Sequence, residues 1–478
     1  ACQSLLWPEQ EGPKVLFKRC WEPPFQGTMT PRQSFQAILK VSAVRQPRQG
    51  YHELLDFAWR YFERPLQMEK TPEQLVKLDT LYFRQLWRKN FDGVTGFASG
   101  MHWDDAKAAF VQSGTFEIGW VGQNASVACV LLREYIKTGD ADLRDKALSV
   151  LDSWVRYAAL PNGLMLVKLQ ADPAHLDSII NGDIPVDLDA CNLGTAATYF
   201  FKAARLAEQA GTPRPEYEKL ALGICDFALR AQLDSGEFAK SWFMDGSINA
   251  AHGSVGAFMI LPLLDAHTLT GEQKYADCAL RAFAFYYGEF AKNGFTTAGA
   301  LDSYCIDKES AAPLLRSALE CYHLTRDRAY VDAAEEVAYY LATWQWHYSV
   351  CFPEDSMAKK IGYDTYGGTS VSAAHNAQDP YGLYYVPEYL ELAQLTGKDI
   401  WLKRARALWY NGIQLISDGT LVIHNRVRPV GSQDESVRHT RWGRPDKRIF
   451  VSSEWLVNWP GTFRQVALDR IESWDALR

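Results

Sequence analysis

No run of 18 apolar residues occurs in the 478-residue chain, so nothing in it reads as a membrane-spanning helix. A basic excess is missing as well. Lys and Arg number 50 against 57 Asp and Glu, and the net charge of −7 leaves no electrostatic footprint for nucleic acid. Neither CxxC nor HExxH is present, and no metal or cofactor is expected. The nine cysteines are odd in number, and Cys129, Cys225, Cys278 and Cys321 fall inside helix-period runs. They read as small buried hydrophobes rather than as a disulfide framework. Strand-type alternation is scarce before residue 418. The chain begins Ala1-Cys2-Gln3 without an initiator Met, which fits removal of a leader or tag, with Cys2 a candidate lipid-anchor remnant.

What is present is a repeat. From Tyr363 to Ile416 the order is a long aromatic and glycine-rich loop, an apolar helical run, a tight turn at Thr396-Gly397-Lys398, and a second helical run. The same order recurs around Thr138-Gly139-Asp140, Gly211-Thr212-Pro213, Thr270-Gly271-Glu272 and Thr325-Arg326-Asp327. Apolar residues return at three and four, as in Leu314, Leu315, Ala318, Leu319 and Tyr322. The runs pair as 50–66/71–90, 119–138/141–158, 189–210/215–232, 253–270/273–291, 307–325/327–344 and 378–396/398–416. The expectation is an all-α (α/α)6 toroid of six helical hairpins over residues 50–478. Residues 1–49, Pro-rich and aperiodic, form an N-terminal extension of extended chain or a few strands. A short β-rich loop follows Ile416, and Ser452 to Ile471 forms a closing helix beside the first hairpin.

Short turns close one end of such a stack, and the long connections gather at the other. Long loops in a compact domain are usually functional. Asn90 to Phe116 leads into Glu117-Ile-Gly-Trp-Val-Gly-Gln-Asn124, where His102, Trp103, Trp120 and Gln123 suggest a sugar subsite. Flat rings meet sugar faces and amides read hydroxyls. Glu117 serves equally as a helix cap. The third loop carries Asp183, Asp187 and Asp189, the last an N-cap. In the fifth, Asp307 and Glu309 suit helix initiation. Asp302, beside Tyr304, is free of that duty. The sixth holds Asp364, Tyr366, His375 and Asn376, with Asp379-Pro380 as a helix start.

Between His424 and Phe450 seven Lys or Arg stand against three Asp or Glu. A solvated loop is the plain reading. Folded over the opening, Arg426, Arg428, Arg438 and Arg441 could hold a carboxylate or sulfate, beside Trp442. Helix N-termini would favour the same anion.

Six hairpins crowned by EIGWVGQN, LDSYCIDKES and HNAQDPYG resemble the six-hairpin (α/α)6-barrel glycosidases, including bacterial uronidase-like hydrolases. The resemblance implies sugar chemistry: hydrolysis, or lyase or epimerase action on uronic acids. The expected activity is hydrolysis of a uronic-acid-containing oligo- or polysaccharide, exo-acting and β-glucuronidase-like. Glu117 is the expected acid, Asp302 the base and Asp364 the reserve. In the rival lyase or epimerase, Tyr304, His375, Asn376 and the arginines serve instead. A non-catalytic helical scaffold is the third reading. The expected partner is a carbohydrate, with no nucleic acid; the compartment, periplasm or cytoplasm, and self-association are left open.

Overall fold

The computed structural model describes residues 15–16, 19–20, 49–91, 93–170, 177–178, 186–297, 305–439 and 451–478. Its principal helices are α1 (Gly50–Phe62), α2 (Pro72–Leu86), α3 (Asn124–Thr138), α4 (Ala141–Ala158), α5 (Ala190–Gln209), α6 (Pro215–Ala231) and α7 (Ile260–Thr270). They continue with α8 (Gln273–Asn293), α9 (Ala311–Thr325), α10 (Ala329–Trp344), α11 (Val386–Thr396), α12 (Asp399–Gly412) and α13 (Trp459–Arg470). Near the start of the chain, Val15–Leu16 pairs antiparallel with Arg19–Cys20.

Four of the tight turns are the same device. Thr138, Thr270, Thr325 and Thr396 each donate a hydroxyl hydrogen bond to the carbonyl four residues back. Each also accepts the N–H two residues on. The residue between turns left-handed: Gly139, Gly271 and Gly397, and Arg326 at φ 63°. Glycine suits that position because it has no Cβ to clash with the preceding turn, and Arg326 takes it at a modest conformational cost. One hairpin turn thus recurs along the chain.

Helices α3, α5, α7, α9, α11 and α13 pack each on the next, and α13 returns to α3 to close a ring. Outside it, α4, α6, α8, α10 and α12 pair with the inner helix that precedes each. Inner helices are buried almost all round: in α13 every residue from Trp459 to Leu468 is buried. Outer helices keep one exposed stripe.

The sixth pair is made from the two ends of the chain. Instead of closing a hairpin with α2, α1 packs on α10, where His52 stacks on Tyr339 at 3.8 Å. Helix α2 becomes the outer partner of α13. Asp79 of α2 and Arg464 of α13, both fully buried, join them, with Arg464 Nε donating to Asp79 Oδ2 at 3.1 Å. The expected closing helix therefore lies beside α2, the second run of the expected first hairpin, while the pairing of 50–66 with 71–90 gives way to this arrangement.

Short strands line the loop end, and not only after Ile416. Thr115–Glu117 pairs with Lys168–Gln170, and Leu188–Asp189 pairs with Ser241–Trp242. Ala377–Asp379 lies between Thr369–Ser370 and Val437–Arg438. At two to five residues they are too short for alternation to show in the sequence.

Among the described residues, no helix is long and apolar enough to cross a membrane. Cys129, Cys191, Cys225, Cys278 and Cys321 are buried and form no disulfide.

Candidate active site

A cleft of about 710 Å³ opens at the loop end of the ring. Glu117, Asp187, Asp189, Glu309, Asp379 and Glu435 line it together with Lys168, Lys240 and Arg438. Trp120, Tyr381, Trp459 and Phe463 supply its aromatic wall.

The EIGWVGQN segment is an elbow between the strand ending at Glu117 and the start of α3. Trp120 and Gln123 both hold left-handed backbone, at φ 39° and 46°. Strain of that kind in non-glycine residues gathers at functional sites. The elbow folds back on its own acid: the N–H groups of Val121 and Gly122 donate to Glu117 Oε2 at 3.1 and 3.2 Å. Lys168, its cross-strand partner, puts Nζ 3.5 Å from Oε1. Gly119 N–H donates to Asn192 Oδ1 at 3.0 Å, tying the elbow to α5.

Asp189 caps α5, accepting the Asn192 N–H at 2.8 Å through Oδ1, as the sequence suggests. Its other oxygen takes a bond from Asn192 Nδ2, also at 2.8 Å. The same nitrogen reaches Glu117 Oε1 at 3.4 Å. Two buried carboxyls from different loops therefore converge on one amide.

Burial raises both carboxyl pKa values, but the two are not equivalent. Burial lifts Asp189 to about 6, and the charges of Glu117 and Asp187 push in the same direction. Glu117 is also raised by burial, against Lys168, Asn192 and the Gly122 N–H, which all favour its anion. The Glu117 anion has Lys168 and the Val121 and Gly122 N–H groups about it, and the Asp189 anion has the two nitrogens of Asn192.

Of the residues named from sequence, Glu117, Trp120, His375, Asn376 and Arg438 meet in the cleft. Gln123 lines a smaller pocket directly below, sharing Trp120, Tyr381 and Phe463 with it. His375 Nδ1 lies 2.6 Å from Ser372 Oγ, and Arg438 Nη1 is 3.4 Å from Asn376 Oδ1. Asp379, expected to cap a helix opening at Pro380, instead ends a strand before a 3-10 turn at Tyr381–Tyr385, where it accepts the Tyr381 N–H and the Thr369 hydroxyl and pairs with Lys308 at 3.0 Å.

Other candidates lie elsewhere. Asp364 is outside the cleft lining, bonded to Arg64 and to the Tyr410 hydroxyl. Tyr366 packs on Trp59. Trp103 lies under Arg426 at 4.6 Å, and Arg426 pairs with Glu454. His102 is exposed on the same strand and is not among the cleft residues. Arg428 is buried against Asp434 rather than facing solvent. Asp183, Asp302, Tyr304, Arg441 and Trp442 lie outside the described residues.

Sequence reasoning passed over Lys168, Lys240, Glu435 and the second duty of Asp189. A capping aspartate is so common that only its convergence with Glu117 distinguishes this one.

No protein-family model matches the sequence, and no curated protein matches it. Solved structures do match. A D-mannose isomerase aligns with TM-score 0.56 at 11% identity, over 84% of this chain and 96% of that one. Cellobiose 2-epimerase from Spirochaeta thermophila DSM 6192 aligns with TM-score 0.55 at 10% identity, over 88% and 98%. A sugar epimerase from a ruminal bacterium aligns with TM-score 0.53 at 10% identity, over 84% and 100%. At such identities the likeness is one of fold. The chain has the six-hairpin (α/α)6 toroid of the glycosidase-fold proteins.

Proposed function

We propose that the protein is a carbohydrate-active enzyme that hydrolyses a glycosidic bond to a uronic acid, with Asp189 as acid and Glu117 as base. The observation that carries this reading is the buried Glu117 and Asp189 pair bridged by Asn192 at the floor of the cleft. Hydrolysis needs one protonated and one ionised carboxyl on either side of the bond. Asp189 gives its proton to the glycosidic oxygen as the bond to the anomeric carbon breaks. Glu117 takes a proton from the water whose oxygen joins that carbon, and exchange with solvent resets the pair. This reverses the role expected of Glu117, because its backbone N–H donors hold the anion.

Support for a uronate comes from Arg438, Lys168 and Lys240 in the wall. Asn376 orients the Arg438 guanidinium. The cleft carries more carboxyls than cations, so the anion is recognised locally rather than by a general positive field.

The fold also serves epimerases, and a second reading rests on His375 in the cleft beside Asn376 and Arg438. There a base removes the C5 proton of a uronate whose carboxylate the arginine neutralises. The two separate on one panel of uronate-containing and neutral oligosaccharides, followed by reducing sugar, by absorbance of unsaturated product and by proton NMR for C5 epimers. A saturated uronic acid released by the parent, and lost in Glu117→Gln and Asp189→Asn, supports hydrolysis. Unsaturated or epimerised product that survives both substitutions and disappears in His375→Ala supports the rival.

A further inference from the structure

Outside the cleft, a second groove of about 590 Å³ is lined by Phe62, Arg64, His347, Tyr348, Ser349 and Tyr366. None of these residues lines the cleft. Phe62 and Tyr348 are 45% and 40% exposed, large rings left open to solvent. Their centroids lie 6.1 Å apart, and His347 sits 5.5 Å from Phe62. Arg64, over the Tyr366 ring at 5.0 Å and paired with Asp364, gives the groove a polar floor.

A chain of contacts links the groove to the cleft wall. Tyr348 stacks on Trp346 at 5.5 Å, and Trp346 meets His439 at 5.3 Å. His439 follows Arg438, which lines the cleft, and its N–H donates to Asn376 O at 3.0 Å. The platform is also held rigidly. Trp346 N–H donates to Gly368 O and Gly367 N–H donates to Trp346 O, both at 2.8 Å. The Thr365 hydroxyl donates to Tyr348 O at 2.9 Å, and Trp346 Nε1 donates to Ser370 Oγ at 2.9 Å. Rings fixed in advance lose little freedom when a ligand settles on them.

We infer that this groove is a distal glycan-binding site, and that the substrate is an extended oligo- or polysaccharide whose far units ride on Phe62 and Tyr348. The inference rests on the carbohydrate reading of the cleft. Aromatic faces alternating with Arg, His and Ser match the apolar faces and hydroxyl edges of a sugar chain. The row Arg438, His439, Trp346, Tyr348 supplies a track from one site to the other.

The test compares dimers and octamers of glucuronan and of cellulose on the parent and on Phe62→Ala/Tyr348→Ala. Both rings are exposed, so the double variant keeps its melting midpoint, checked by circular dichroism. The expected result is a loss of roughly tenfold in kcat/KM for octamers through KM, with dimer turnover unchanged. Equal effects on both lengths, or none, overturn the distal site and leave the hydrolase reading intact. Failure of the parent to turn over or bind any member of the wider panel overturns both. A change of sedimentation coefficient on removing the rings assigns the groove to a second copy of the chain and likewise overturns the inference.

Discussion

Glu117 and Asp189 share a single hydrogen-bond donor, Nδ2 of Asn192, although 72 residues and two helices separate them along the chain. The shared amide keeps the carboxyls together while their charges repel. Burial, with the Glu117 charge pushing in the same direction, raises the Asp189 carboxyl to about 6.

Activity should fall on the alkaline side as Asp189 loses its proton near pH 6. Replacing either carboxyl by its amide should lower kcat by about 10²- to 10⁴-fold with the fold retained. A pH–rate profile of kcat/KM beside both variants checks this. An alkaline limb unchanged in Asn192→Ala would argue against Asp189 as the titrating acid, since the Asn192 bonds hold its pKa down.

Asp189 also makes stability depend on pH. Its folded pKa, about 6, exceeds the unfolded value near 3.9, so the favourable contribution is full below about pH 4 and is lost as pH rises through 6. Asp189→Asn, which still caps a helix, should therefore gain up to about 3 kcal/mol over the parent at pH 8 and converge with it near pH 4. Denaturant midpoints at the two pH values decide it.

Gly122 leaves no room for a side chain. A Cβ there would lie 2.4 Å from Glu117 O and 2.5 Å from Glu117 Cβ. Gly122→Ala should shift Glu117 and reduce kcat about 10²-fold, as a misplacement of about 1 Å does, with a loss of about 1–3 kcal/mol in stability. Single-turnover kinetics with a melting curve would show whether both occur.

The buried pair of Asp79 and Arg464 joins α2 to α13, and Gln465 supports it by donating to Asp79 Oδ2 at 2.7 Å. Asp79→Ala leaves a guanidinium uncompensated in the core and should destabilise by about 3–5 kcal/mol. Urea unfolding measures it. A parent-like midpoint would mean that apolar packing alone joins the two ends.

The helical hairpins were legible because their signals are local. Spacing of apolar residues at three and four, a threonine that bonds backward and forward, and a glycine free to turn left-handed all lie within a few residues of one another. Glu117 was legible too, since its elbow packs two glycines, a tryptophan and two amides into eight residues. Asp189 carries no such mark. As a capping residue it looks like any other, and its altered pKa comes from groups brought to it by the ring.

Local residue spacing carries the helical repeat, the end at which long loops collect, and the acidic and aromatic character of that end. The pairing of α2 with α13 arises only on folding, since Asp79 and Arg464 are 385 residues apart and no local pattern links them. Folding likewise decides that Asp364 serves Arg64 and Tyr410 while Asp189 faces Glu117. Closing a ring brings loops remote in sequence into one cleft, and the desolvation that tunes the buried carboxyls there exists only once that cleft has formed.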